Sequence, residues 1–346
     1  MCGGPDSEHE ISLQTGQAVY EHIDQSLFDP EICVINKDRS WSWKTPELDK
    51  PFVEWSSISL IPFSLTTGSN DLKNRYEVDI VFNALHGQYG EGGYLQAILD
   101  QIGIKYTGSG MQASVVGIDK ELTQQFVLSL NLKRVQIPKT LVLEGESLTQ
   151  KDSLALTDFL HQKITSKQVV IKSATGGSSL DVFILPNNNW SKPIDSGIYK
   201  AIKTILATGE KVIIQEFISG LEVTCPVLGD RRYHDQLALP VGLIKPVGAW
   251  FDHHAKYSGE SEEIFPAPLD TKTAILIREK SRRIHTALGC RGLSRSDFIV
   301  TSEGKIYFLE INTSPGLTPN SLCPKAAAAH GWSYTELITK IIQAVG

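Results

Sequence analysis

The sequence predicts a three-domain fold, an α/β unit followed by two α+β units. Two observations carry this reading. Over the opening residues strand and helix signals alternate, which implies a parallel sheet with crossover connections. Further on, strands flank turns with no helix directly between them, the mark of antiparallel pairing. At 346 residues the chain exceeds one ordinary core, and the expected division is 1–112, 113–214 and 215–346.

In the first unit, Ile11–Ile23 has helical periodicity, Glu31–Ile35 reads as a strand, and Val78–Phe82 as a buried strand. Trp41–Pro62, rich in Trp, Ser and Pro, reads as loop or edge structure. Gly87–Gly93 is a glycine-dense loop, after which Leu95, Ile98, Leu99 and Ile102 share one helix face. Gly3-Gly4 has the form of a turn after a first strand, yet only Met1 and Cys2 precede it. The expectation is therefore an internal start at Met1, or an opening sheet one strand short.

The second unit opens near Gln112 with a helix over Lys120–Leu130. A β-rich run Val135–Leu143, a helix over Leu154–Ile164 and a strand Val169–Lys172 follow. Ala174–Ser179 is a glycine- and serine-rich turn with Val182–Leu185 as the returning strand, together an antiparallel flap. No Gly-Lys-Ser/Thr follows those glycines, which argues against a P-loop. The third unit runs through strands Val212–Phe217, Val223–Leu228 and Leu237–Ile244 to a long polar loop, Asp252–Ile264. A helix with apolar positions Ile275, Ile277, Ile284 and Leu288 leads to a hairpin turning at Ser302-Glu303-Gly304. A final helix spans Tyr334–Val345.

Composition removes several function classes. Lys plus Arg number 33 against 39 for Asp plus Glu, a net charge of −6, so the broad positive field of a nucleic-acid binder is missing. No apolar run reaches the ~18 residues that span a bilayer, and Asp6, Glu8 and Glu10 break any secretory signal. The 5 cysteines are scattered and never form C-x-x-C, which fits buried thiols in a reduced, cytoplasmic protein. His253-His254 beside Asp252 is a poor zinc site, because adjacent strand residues point to opposite faces.

The most informative constellation is Asp297 with Glu310-Ile311-Asn312. Glu310 and Asn312 are two apart and share a strand face, and the hairpin brings Asp297 roughly opposite Glu310. Two readings stand: a solvated polar strand face, or an all-oxygen Mg²⁺ site, which the flanking apolar residues Phe298, Phe308, Leu309 and Ile311 favour. Lys120 begins a helix, Lys172 ends an apolar strand before the glycine-rich turn, and Lys256 lies in the polar loop. Each is either a solvated charge or a phosphate ligand. Arg295 either faces the same site or pairs with one of its carboxylates. The Ser314–Ser321 loop, with Gly316, is either a plain turn or a backbone donor to an oxyanion. His86 follows a buried strand, at the sheet edge where open α/β sheets bind ligands.

Taken in order, the motifs resemble those of the D-alanine–D-alanine ligases, a family of ATP-grasp enzymes. They are Gly3-Gly4 with Ser7-Glu8-His9-Glu10, His86-Gly87-x-x-Gly90-Glu91-x-Gly93, Tyr106-Thr107-Gly108-Ser109-Gly110, Asp119-Lys120, Gly177-Ser178-Ser179, Ala255-Lys256-Tyr257, Arg291-Gly292-x-x-Arg295-x-Asp297 and Glu310-x-Asn312-Thr313-x-Pro315-Gly316. The resemblance covers nearly the whole chain. It implies a three-domain ATP-grasp fold and a cytoplasmic carbon–nitrogen ligase of peptidoglycan precursor synthesis. ATP would phosphorylate the carboxylate of one D-alanine, and the amine of a second would attack the acyl phosphate through a tetrahedral intermediate.

The resemblance also implies residue roles. Two Mg²⁺ or Mn²⁺ ions fall to Asp297, Glu310 and Asn312, and the ATP phosphates to Lys120, Lys172 and Lys256. Adenine lies against Gln215, Glu216, Phe217 and Ile218, and ribose on Glu222. Glu8 meets the first ammonium within a network of Ser178 and Tyr257, with His86 beside it. Arg295 and Gly316 hold the oxyanion, and Ser321 with Leu322 takes the second carboxylate. A homodimer is expected. Departures from the family pattern are Gln215 for an acidic residue, Gly92 for Asp, Ser173 for Pro and Asp181 for Gly. Gly92 is expected to loosen the substrate-side loop. The alternatives are a related ligase using another amino acid or a hydroxy acid, and a non-catalytic nucleotide-binding homologue.

Overall fold

The computed structural model describes residues 1–44, 57–59, 78–146, 148–176, 182–186, 196–229, 236–246 and 261–345. Strand β1 (Cys2–Gly3) pairs in parallel with β2 (Ile32–Ile35), and β3 (Trp41–Lys44) and β4 (Ser57–Ser59) extend that sheet antiparallel. Thus Trp41–Lys44 forms a paired strand with Trp41 buried, where a loop or sheet edge was expected. A parallel pair, β5 (Ile80–Val81) and β6 (Lys105–Tyr106), lies on the other side of β1. Met1 links the two, its nitrogen donating to Phe82 O at 2.8 Å while its carbonyl accepts from Ala84 N at 2.9 Å. The first strand is therefore present but only two residues long.

Helix α1 (His9–His22) follows the Gly3-Gly4 turn, and Gly3 and Gly4 both take positive φ there. A Cβ at Gly3 would fall 2.4 Å from Ile35 O, so only glycine lets the turn approach β2. The glycine-dense stretch after His86 is a short helix, α2 (Gly87–Glu91), rather than a loop. Gly92 is not a loosening residue either: a Cβ there would stand 2.4 Å from Gln88 O, so the glycine is what lets α2 close. Helix α3 (Tyr94–Ile102) buries Leu95, Leu99 and Ile102 under the opening sheets.

Helices α4 (Met111–Ile118) and α5 (Lys120–Ser129) are separated by Asp119, whose carboxylate accepts from Glu121 N and Leu122 N and caps α5. Sequence periodicity missed α4. The run Val135–Leu143 divides into β7 (Val135–Gln136) and β8 (Thr140–Leu143), which join different sheets. Ala113, Val127 and Leu132 pack into the core of the C-terminal sheet, so residues 113–137 lie with that sheet rather than with the central one.

The central sheet has the order β10-β9-β11-β8, with β9 (Gln168–Ser173), β10 (Phe183–Pro186) and β11 (Val212–Glu216) all antiparallel. Its helix-facing side buries Val169, Ile171, Val212 and Ile214 against α6 (Gln150–Asp158), the π-helical turn Phe159–Lys163 that continues it, and α7 (Ser196–Leu206). Strand alternation puts Lys172 and Gln215 on the opposite face.

The C-terminal sheet holds β12 (Leu221–Leu228), β13 (Leu237–Ala238), β14 (Gly242–Pro246), β15 (Ser261–Ile264), β16 (Leu293–Val300) and β17 (Ile306–Asn312). They run in the order β15-β14-β12-β16-β17-β7, with β13 beside β12. Val223, Cys225, Phe298 and Phe308 face α8 (Thr271–Leu288), whose buried residues include Ile277 and Ile284. Of the apolar positions read from the sequence, Ile275 is 60% exposed, because the two-residue step from it to the buried Ile277 turns a helix about 200°. The terminal helical stretch is two helices, α9 (Leu322–His330) and a capping-box helix α10 (Tyr334–Gln343). Ile338 and Ile342 of α10 pack on Val19 of α1, joining the two ends of the chain. No described helix is long and apolar enough to cross a membrane.

Candidate active site

The hairpin β16–β17 is the foundation of the site, and a bulge decides what it presents. Asp297 pairs with Glu310, but Phe298 pairs with Phe308, so Leu309 is an extra residue. On a regular strand Phe308 and Glu310 would share a face. The bulge resets the alternation, sending Phe308 and Ile311 into the core while Glu310 and Asn312 turn to the other side with Asp297 and Arg295. The carbonyl that the bulge removes from the ladder is satisfied elsewhere, since Leu309 O accepts from Gln124 Nε2 at 2.8 Å.

Asp297 is buried and heavily bonded. Oδ1 accepts from Thr224 Oγ1 at 2.6 Å and Arg295 Nε at 3.0 Å, and Oδ2 accepts from Arg295 Nη2 at 2.8 Å. The adjacent carboxylate holds the Arg295 guanidinium charge more firmly than usual, against the desolvation of its burial. This is the ion-pair alternative for Arg295. Among the described residues its Nη1 makes no hydrogen bond, so a donor remains uncommitted there. Asn312 Oδ1 accepts from Ser314 N at 2.8 Å and anchors the following loop. The oxygens of Asp297, Glu310 and Asn312 are a hard donor set. Each Asp297 oxygen already accepts two hydrogen bonds, so it is the hard, all-oxygen chemistry of the set that suits a divalent cation such as Mg²⁺.

Cations gather opposite. Lys120 Nζ stands 3.5 Å from Glu310 Oε2 and donates to Gly176 O at 2.7 Å. Lys172 is buried on the free face of the central sheet. Desolvation pushes its ammonium down to about 8, Lys120 adds to the fall, and Glu310 and Glu222 oppose it. Lys120, bonded both to Glu310 and to the turn that follows the Lys172 strand, ties the polar face of the central sheet to the face carrying Glu222, Asp297 and Glu310.

Gln215 and Glu216 end β11, and Phe217 and Ile218 begin the segment that leads to β12. Gln215 Nε2 donates to Gln124 Oε1 at 3.1 Å and Thr140 Oγ1 at 2.7 Å, so both amide hydrogens are committed and Oε1 is the remaining group. Glu216 Oε1 accepts from Lys139 N at 2.9 Å, and its own N–H donates to Lys139 O. Its side chain thus braces β8. Phe217 N donates to Gln168 O at 3.3 Å.

A second cluster lies at the edge of the opening sheets. His86 is buried, its Nε2 2.9 Å from Thr15 Oγ1 and its Nδ1 3.8 Å from Glu91 Oε1. Glu91 Oε1 also accepts from Gly87 N at 3.0 Å. Glu8, at the start of α1, brings a carboxylate oxygen within 4.8 Å of ligand atoms of His86 and Glu91. Asp6 Oδ2 accepts from Tyr89 N at 2.6 Å, tying the glycine turn to α2. At the start of α9, Ser321 Oγ lies 2.8 Å from Thr318 Oγ1, and a Cβ at Gly316 would fall 3.1 Å from Ser321 Oγ. Leu322 is the first residue of α9. Ser314 Oγ donates to Leu85 O at 3.4 Å and connects this loop with the His86 cluster.

Ser178, Lys256 and Tyr257, with His253-His254, lie outside the described residues. Sequence reasoning gave no role to Thr15, Glu91, Thr224 or Gln124, which orient His86, Asp297 and Gln215. Only Glu91 lay inside a quoted motif. A lone Thr or Gln carries no sequence signal, because its partner is set by tertiary pairing.

Comparison with known proteins follows the same outline. Family profiles described as D-ala D-ala ligase N-terminus and D-ala D-ala ligase C-terminus match residues 1–109 and 135–343. The D-alanine–D-alanine ligase of Ruminiclostridium cellulolyticum is 33% identical, covering 99% of this chain and 93% of its own. That of Acetivibrio thermocellus is 34% identical over the same shares. The VanG D-Ala:D-Ser ligase from Enterococcus faecalis superimposes with a TM-score of 0.81 at 29% identity, covering 100% of this chain and 98% of its own. The D-alanine–D-alanine ligase from Bacillus anthracis, solved with ATP, gives a TM-score of 0.71 at 25% identity, over 99% and 95%.

Proposed function

The chain belongs to the D-alanine–D-alanine ligase family, and from that premise we propose that it joins two D-alanines at the expense of ATP. The observation that carries the reading is the buried Lys172, held with Lys120 beside Glu310 and Glu222. Burial pushes the Lys172 ammonium down despite those carboxylates, and the phosphates of ATP are anions that would offset the cost.

Lys120 and Lys172 bind the phosphates, with Lys256 from the polar loop. Two Mg²⁺ or Mn²⁺ ions on Asp297, Glu310 and Asn312 would supply charge neutralisation between the phosphates and the attacking carboxylate. Gln215 Oε1 accepts from the adenine amino group, while backbone groups of Glu216 and Ile218 flank the ring beside Phe217. Glu222 holds the ribose. Glu8 takes the first D-alanine's ammonium with Ser178 and Tyr257, and His86, aimed by Thr15 and Glu91, meets its carboxylate. Arg295 Nη1 and the Gly316 N–H stabilise the oxyanion formed when the second amine attacks the acyl phosphate. Ser321 and the Leu322 N–H, at the start of α9, receive the second carboxylate. The expected divisions are 1–112, 113–214 and 215–346, with residues 113–137 packed on the sheet of the last. A cytoplasmic homodimer is the expected working form, on family resemblance.

Coupled phosphate release with ATP and single amino acids tests the proposal. D-alanine should stimulate release and yield the dipeptide. Similarity to the D-Ala:D-Ser ligase favours D-serine as the alternative second substrate. A mixed product formed in preference to D-alanyl-D-alanine would decide for it, and ATP binding with no turnover on any amino or hydroxy acid would refute both.

A further inference from the structure

The root of the glycine-rich turn carries a hydrogen-bonded staple that the reaction scheme above does not use. Ser173 ends β9 and is buried. Its Oγ donates to Glu210 Oε2 at 2.7 Å and accepts from two successive backbone groups, Gly176 N at 3.0 Å and Thr175 N at 3.2 Å. Thr175 Oγ1 donates to the same Glu210 oxygen. One hydroxyl thus folds the chain back on itself, and one carboxylate holds it from outside.

Residue 176 is shaped to this arrangement. A Cβ there would lie 3.2 Å from Ser173 Cβ and 3.4 Å from its Oγ, so a side chain would crowd the staple. The folded-back turn aims Gly176 O at Lys120 Nζ, 2.7 Å away, and Lys120 in turn stands 3.5 Å from Glu310. Backbone bonds from Lys120 N to Ala174 O and from Ala174 N to Lys211 O, both 2.9 Å, hold the middle of the segment. The ammonium therefore has two anchors, a carboxylate and a carbonyl, and only the carbonyl depends on the turn's conformation.

We infer that Ser173, with Glu210, is a positioning residue for nucleotide binding: the staple fixes Gly176 O and so sets where the Lys120 ammonium meets the phosphates. This rests on the reading of Lys120 as a phosphate ligand. Without the hydroxyl, Thr175 N and Gly176 N lose their acceptor and the turn relaxes. Lys120 then swings toward Glu310 alone, whereas the His86 cluster that receives the first amino acid is untouched.

The test compares Ser173→Ala, Ser173→Thr and Glu210→Ala in the full-length protein. Kinetics with each substrate varied are paired with calorimetric titration by ATP alone. Ser173→Ala and Glu210→Ala should raise the KM and Kd for ATP about three- to ten-fold, the worth of ordinary hydrogen bonds. The KM for the amino-acid substrate should stay unchanged, and Ser173→Thr, which retains the hydroxyl, should restore wild-type ATP binding. Equal changes in both KM values, or a Thr variant no better than Ala, would reduce Ser173 to a structural residue and overturn the inference. Unaltered ATP binding in Ser173→Ala would do the same. Titration by ATP does not depend on which amino acid is ligated, so failure of the substrate assignment is read separately from the wild-type substrate panel.

Discussion

Replacing Lys172 with methionine should make the protein more stable and less active, by an amount that depends on pH. Lysine in an unfolded chain holds its proton to 10.5, whereas burial pushes folded Lys172 down to about 8. Between those values the unfolded state binds more protons, so stability rises with pH through this window. Below about 8 both states are charged, and the fold carries the whole cost of burying the ammonium. At ~1.36 kcal/mol per tenfold change in proton affinity, that cost is about 3 kcal/mol. Above 10.5 neither state is charged and the cost is gone. Lys172→Met keeps the apolar stem and removes the ammonium, so the variant should exceed wild type by about 3 kcal/mol at pH 7 relative to its advantage near pH 10.5. Urea unfolding followed by tryptophan fluorescence at pH 7, 9 and 10.5 measures this. Tyrosines and thiols that titrate in the same range are common to both proteins and cancel in the difference. Ligation should fall sharply in the variant, the stability–activity exchange expected where a charge is held for a ligand. Identical pH slopes for the two proteins would refute the argument, because Lys172 would then be solvated.

Other substitutions probe the remaining contacts. Asp297→Asn leaves the buried Arg295 without its counter-charge and should cost about 3–5 kcal/mol in chemical denaturation as well as activity. A variant as stable as wild type would mean that the fork is not formed. Gly92→Ala forces a methyl against Gln88 O and should cost about 1–3 kcal/mol of strain. An unchanged melting temperature would show that the turn is open. Burial pushes the thiols of Cys33, Cys225, Cys290 and Cys323 up to about 12, so iodoacetamide at pH 8 should label them in urea but not in the native protein. Mass spectrometry reads the outcome, and native labelling at one of them would contradict its burial.

Much of the architecture is legible in the sequence because the signals are local. Short continuous apolar runs mark β9 and β11, helical spacing marks α3, and the hairpin turn marks β16–β17. Legibility failed where tertiary pairing overrides pattern. The β-rich run Val135–Leu143 divides between two sheets, and among the apolar positions of α8 Ile277 is buried while Ile275 faces solvent. The glycines before α3 suggested looseness, whereas Gly92 is demanded by close packing.

The candidate site divides in the same way. Its residue types were legible, since carboxylates, lysines and glycine-rich turns advertise metal and phosphate chemistry by identity alone. Most of the element order and all of the chemical inventory are written locally, because both depend on each residue and its near neighbours. Which groups act together is a matter of long-range contacts. Leu309 is an ordinary leucine in the sequence, yet as a bulge it turns Glu310 toward Asp297 and sends Phe308 into the core. Gln215 is left with one free function because Gln124 and Thr140, distant in the chain, take both its hydrogens. Lys172 is a strand-end lysine until two sheets close around it and strip its water. Register, desolvation and shared partners are properties of contacts between distant segments, and no local pattern encodes them.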